Sequence, residues 1–168
     1  QWAARWLRTA SLNTLAAEWE TEGDHLARLE LVQAAPEEHP VLRPHHVEVA
    51  LVGEDGKAAV LPAAVSAARS PLSGAAGMPA PAFVFPNHGD HGYAKVALDP
   101  VSIAWAKENL GRLADPLLRA QVWTTLWEMV RDRRLTSSDY LDLVRRVGVA
   151  EQSLHIVELI SETPAAAI

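Results

Sequence analysis

The chain changes period at Asp99-Pro100, and that switch constrains it more than any other feature. Upstream, apolar residues alternate in short runs separated by Gly and Pro, which predicts strands and tight turns. Downstream, apolar residues recur every three or four positions, which predicts helices. A single layer of one element type cannot satisfy both halves, so the expected class is α+β with strands and helices segregated along the chain.

The strand half reads as follows. His25 to Gln33 alternates, and Pro36-Glu37-Glu38-His39-Pro40 breaks the run. Val41 to Val52 is a second strand, with Val47, Val49 and Leu51 on one face and His46, Glu48 and Ala50 on the other. Gly53-Glu54-Asp55-Gly56-Lys57 predicts a hairpin, because Asp-Gly tolerates the positive φ that tight connections need. Ala59 to Val65 returns. Ser66 to Pro81 is rich in Ala, Gly, Ser and Pro and predicts a loop with at most a short strand. Ala82 to Phe85 and Tyr93 to Leu98 complete the set, with the turn Pro86 to Gly92 between them. Strands this short, at this spacing, predict a small antiparallel β-sandwich.

The helical half begins with Asp99 as a cap and Pro100 in the first turn, and Asp115-Pro116 repeats the device. Leu118, Val122, Leu126 and Met129 form one stripe, with Trp123 and Trp127 beside it. A third helix starts at Ser137 or Ser138, carries Leu141, Val144 and Val147, and ends at Gly148; a fourth covers Glu151 to Ser161, with Leu154, Val157 and Ile160 on one face. Short connections predict antiparallel neighbours. Their apolar faces are wider than single neighbours cover, which predicts an array continuing past Ile168. At the other end the chain opens at Gln1, without methionine, on what reads as the end of a helix over residues 1–9. That helix carries Trp2, Trp6 and Leu7, and Ser11-Leu12-Asn13-Thr14 turns the chain out of it. Such a start looks like a cut through a larger protein.

Composition removes several function classes. The net charge of −6 has no basic excess in either half, which argues against a nucleic-acid surface. The absence of cysteine removes disulfides and thiolate chemistry but does not fix the compartment. No apolar run approaches the ~18 residues of a membrane span.

Three constellations could carry chemistry. His88, Asp90 and His91, with His45 or His46 brought near by the sheet, offer imidazole and carboxylate donors of the kind zinc accepts, although Asn, Gly and Asp are ordinary turn residues. Glu128, Arg131, Asp132, Arg133 and Arg134 could grip an anion; the commoner reading is a solvated helix end. Trp105, Trp123 and Trp127 could stack a ligand, but at helical spacing they read as packing anchors. No His-Glu-x-x-His, Gly-x-Ser-x-Gly or phosphate-cradling glycine loop is present.

Four segments together resemble the region downstream of the catalytic domain in bacterial aminopeptidase N, a family of gluzincin-type zinc aminopeptidases. They are WLRTASLNTL at 6–15, VLRPHHVEVALVGEDGK at 41–57, FVFPNHGDHGYAKVALDP at 83–100 and DPLLRAQVWTTLWEMVRDRRLTSSDYLDLV at 115–144. The resemblance implies the end of a catalytic-domain helix and linker over 1–20. An immunoglobulin-like β-sandwich would follow over 21–98, and the first helices of a HEAT-like C-terminal domain over 99–168. It further implies that zinc and the catalytic residues lie in a catalytic domain absent from this sequence, so that no catalytic, cofactor-binding or metal residue carries over to it. The partners it implies are that catalytic domain and a peptide substrate. Charge and hydropathy add no nucleic acid and no membrane, exposed apolar faces predict self-association, and the sequence does not fix the compartment, the cytoplasm being favoured. Where the family commonly has an acidic run after Pro-Asn, this chain has His88, Gly89 and His91, which then read as turn residues. The rival readings are a free-standing peptide- or protein-binding module and a small metal hydrolase using His45, His46, His88 and His91.

Overall fold

The computed structural model of the chain describes residues 10–165. The helix expected over residues 1–9 lies outside them. Seven strands precede four helices: β1 Thr14–Glu22, β2 His25–Ala34, β3 His45–Val52, β4 Ala58–Val65, β5 Arg69–Pro71, β6 Phe83–His88, β7 Lys95–Ala97, then α1 Pro100–Asn109, α2 Pro116–Arg131, α3 Ser137–Arg146 and α4 Leu154–Ala165. The strands form two small sheets, ordered β5-β2-β1-β7 and β4-β3-β6. Every pairing is antiparallel except β1 with β7. The class is α+β, and the change of element type falls at Asp99, whose side chain caps α1 by accepting from the Val101 and Ser102 amides.

Strand β3 explains how the layers meet. Its odd residues Val47, Val49 and Leu51 face a core shared with Leu15, Leu29 and Leu31 of the other sheet. Ala50 and Val52, its even residues, join Phe83 and Phe85 of β6 in a second core completed by Trp105, Leu118, Val122, Trp123, Leu126, Tyr140 and Leu143 of the helices. A strand buried on both faces is the wall between two cores. The faces expected for β3 are those observed.

Other expectations need correction. β1 was not expected: its inward residues are Leu15, Ala17 and the half-buried Trp19, and alanine at one of three inward positions hides the alternation. Its pairing with β2 runs from Thr14↔Ala34 to Glu22↔His25, so the boundary placed at residues 20/21 falls inside this strand. On α4 the buried residues are Ile156 and Ile160, while Leu154 is 73% and Val157 40% exposed. The inward stripe is therefore the i, i+4 pair and not the i, i+3 series. On α3 the buried pair is Tyr140 and Leu143, Leu141 is exposed, and Thr136 rather than a serine caps the helix by accepting from the Asp139 amide.

The Gly53–Lys57 hairpin forms as expected, with Gly56 at φ 78°. A Cβ at that position would also run into the carbonyl of Arg112, in the turn after α1. Gly56→Ala should therefore lose about 1–3 kcal/mol from the positive φ and the contact together. Urea denaturation would measure this, and an unchanged midpoint would show that the hairpin does not rest on the Arg112 turn.

Candidate functional site at the junction of sheets and helices

The segment from Asn87 to Gly92 is the most densely bonded part of the junction; the turn expected over Pro86 to Gly92 is shorter, because β6 runs on to His88, which pairs with Glu48 of β3. Asn87, 2% exposed, organises it: its Nδ2 donates to the Gly92 carbonyl (2.9 Å) and to Asp90 (3.2 Å), and its Oδ1 accepts from the Gly92 amide (2.8 Å). Gly89 (φ 73°) and Asp90 (φ 56°) reverse the chain in the left-handed region, which glycine and aspartate tolerate best. Gln121, one turn into α2, then grips the turn reciprocally. Its Nε2 donates to the Asn87 carbonyl at 3.1 Å, and its Oε1 accepts from the Gly89 amide at 3.2 Å.

His88 lies between two carboxylates. Its Nε2 is 3.1 Å from Oδ2 of Asp115, the cap of α2, and its Nδ1 is 3.4 Å from Oε2 of Glu48 on β3. On the far side of the turn, Lys95 donates to both carboxylate oxygens of Asp132 at 2.8 and 2.9 Å. At the start of the helices, Ser102 accepts from the Val84 amide (2.9 Å) and donates to Asp99 (2.6 Å), tying α1 to β6. A groove of about 390 Å³ runs beside the turn, between β6, β7, α2 and α4, and is lined by Phe85, Lys95, Gln121, Glu128, His155 and Leu159 among others.

The expected candidates sort out as follows. His88 and His91 share Glu48, with His91 Nε2 at 3.6 Å from the same oxygen that faces His88. Asp90 instead bonds Asn87. His45 is buried at the start of β3, where burial, aided by the charge of Arg43, lowers its pKa, while His46 is exposed. Among the described residues no three or more His, Cys, Asp or Glu side chains are grouped to hold a metal. The charged end of α2 does not converge on a point: Arg131 pairs with Glu128, Asp132 with Lys95, and Arg133 and Arg134 are exposed. The tryptophans are packing anchors, Trp123 edge-on to Tyr140 at 5.9 Å, Trp127 on the same ring at 5.4 Å and Trp105 against Phe83 at 5.4 Å.

Sequence reasoning missed Glu48, Ser102, Asp115 beyond its cap, and above all Gln121. The available signal for Gln121 was an uncharged polar residue set directly between Ala120 and Val122-Trp123. Among the described residues no helix is long and apolar enough to cross a membrane.

Residues 83–163, which include this junction and most of the helices, match the model of the ERAP1-like C-terminal domain. Over 164 residues the chain is 33% identical to aminopeptidase N of Streptomyces lividans, an alignment covering 90% of this chain and 19% of that protein. The chain thus spans about a fifth of the length of the curated relative it matches. Residues 83–163 are thus similar to an ERAP1-like C-terminal domain, and the chain as a whole is similar to a part of aminopeptidase N.

Proposed function

We propose that the chain is the accessory part of an aminopeptidase N-like zinc metallopeptidase whose catalytic domain, and whose zinc, lie elsewhere in a longer polypeptide. In this reading the two sheets are an immunoglobulin-like sandwich acting as a spacer. The four helices open a HEAT-like array that helps to enclose the cavity through which peptides reach the active site. No residue of this chain is catalytic, binds a cofactor or holds a metal. Its partners are the attached catalytic domain and the peptide, and exposed apolar residues such as Leu154 and Val157 are faces that a further element, or a second copy, would cover.

The observation that carries the proposal is the junction. The wall of β3 and β6 contributes to both cores, and Gln121, His88, Lys95 and Ser102 bond across it. A spacer needs this stiffness, because an angle between two domains is set only as firmly as the contacts at the bend.

The reading has two measurable consequences. Supplied with zinc, the chain alone should hydrolyse neither aminoacyl chromogenic substrates nor peptides. In the longer polypeptide, the double variant Asn87→Ala/Gln121→Ala should leave kcat/KM for single-residue substrates unchanged and alter it for peptides. Hydrolysis by the chain alone, or an unaltered preference between the two substrate types, would refute it.

A further inference from the structure

We propose that His88 is a proton-operated clasp between the sheets and the helices. Doubly protonated, its ring ties Glu48 of β3 to Asp115 at the head of α2; after losing one proton it holds only one of them. The inference is independent of the peptidase reading.

The number of N–H donors on the ring decides what it can hold. Neutral imidazole has one N–H and one lone pair, whereas imidazolium has two N–H donors. Both ring nitrogens of His88 face carboxylate oxygens, at 3.1 Å on the Asp115 side and 3.4 Å on the Glu48 side. A carboxylate accepts and does not donate, so in the neutral ring one nitrogen must set its lone pair against an anionic oxygen. Only the imidazolium satisfies both contacts.

The surroundings let the clasp open without unfolding the chain. The side chain of His88 is 17% exposed, while those of Glu48 and Asp115 are 42% and 39% exposed, so water can replace the ring at whichever carboxylate is released. Asp115 keeps its cap in either state, because the Leu117 amide bonds Oδ1 while His88 faces Oδ2. Two carboxylates face the ring, Glu48 from β3 and Asp115 from the cap of α2, while Asp90 of the turn bonds Asn87 instead. The positive end of α2 opposes a cation here, and Asp115, lying between the two, offsets it. His91, 56% exposed in its side chain, lies 3.6 Å from the same Glu48 oxygen, beyond hydrogen-bond reach.

Opening should be visible at the Gly89 amide, which follows His88 directly and donates to Gln121 of α2. In the 168-residue chain, raising the pH from about 5 to about 8 should increase the opening of that amide about tenfold, once hydrogen-exchange rates are divided by their intrinsic values. Nitrogen NMR of the ring should show both nitrogens protonated at the acid end. His88→Gln should abolish the pH step. Should that variant not fold, Asp115→Asn, which still caps α2, should abolish it as well. The proposal fails if the wild-type amide shows no step, if the step survives in either variant, or if only one ring nitrogen is protonated at the acid end. Uptake of one zinc per chain at His88 and His91 would equally overturn it.

Discussion

Phe83→Ala should destabilise the chain by about 3–5 kcal/mol, and the loss should appear in the sheets and the helices together. Phe83 is fully buried on β6, stacked with Phe85 at 6.4 Å between ring centroids and tilted against Trp105 of α1 at 5.4 Å. The removed ring leaves a cavity bounded by a strand on one side and a helix on the other, and neither can close it without moving the other. For a chain of this size the loss corresponds to a fall of roughly 10 °C in Tm. Unfolding in urea should be followed at the helical far-UV band and, for the sheets, by the amide NMR signals of β1 and β2. Coincident transitions, both shifted, are the expected result. A helical transition left in place while the sheet signal shifts would mean that the two cores fold independently, and the stiff junction would lose its basis.

That two-core arrangement was partly legible in the sequence. β3 showed it most clearly, because Val47, Val49 and Leu51 alternate with Ala50 and Val52 so that both faces carry apolar side chains. Both Asp-Pro helix starts were equally legible, since capping is a local matter of one carboxylate and the amides just after it. β1 was not, because Ala and Glu are poor strand formers and its place comes from pairing with β2 along its whole length. The inward stripes of α3 and α4 were misjudged for a related reason. Leu141, Leu154 and Val157 are as apolar as Leu143 and Ile156, and only the position of α2 decides which of them it covers.

The junction was the least legible part. PNHGDHG announces a turn and two histidines, and chance spacing makes a metal the tempting assignment. What gives the turn its place is Gln121, Glu48 and Asp115, which lie 27 to 40 residues from His88 or Asn87 in sequence and converge only once β3, β6 and α2 have packed. Polar partners at such separations leave no periodic trace, so a sequence shows one half of each bond.

Arg119→Ala should cost a further 3–5 kcal/mol or about that at neutral pH, by a different mechanism. Arg119 on α2 donates from Nε and Nη2 to the two carboxylate oxygens of Glu151 at 3.0 and 3.1 Å, and from Nη1 to the Leu113 carbonyl at 2.6 Å. The side chains are 15% and 6% exposed, so removing the guanidinium leaves a carboxylate with little water and no cation. Burial pushes the Glu151 carboxyl up, but the Arg119 guanidinium and the Ser153 and Gln152 amides outweigh it and hold the group below its ordinary 4.5. The sign of the pH dependence follows. In the wild type this depressed carboxyl contributes stability that is complete above 4.5 and is lost as pH falls through the folded value. In Arg119→Ala the carboxyl keeps its burial without its cation, so protonation relieves it. The stability gap between the two proteins should therefore be widest near neutral pH and narrow on acidification, which urea melts at about pH 7 and about pH 4 would measure. Replacing Arg119 and Glu151 together with methionine should recover part of the loss, because two apolar side chains leave no buried charge, though the Ser153 amide then loses its acceptor. A gap of equal width at both pH values would mean that Arg119 stabilises the helices through its aliphatic stem and the Leu113 carbonyl, with the ion pair contributing nothing.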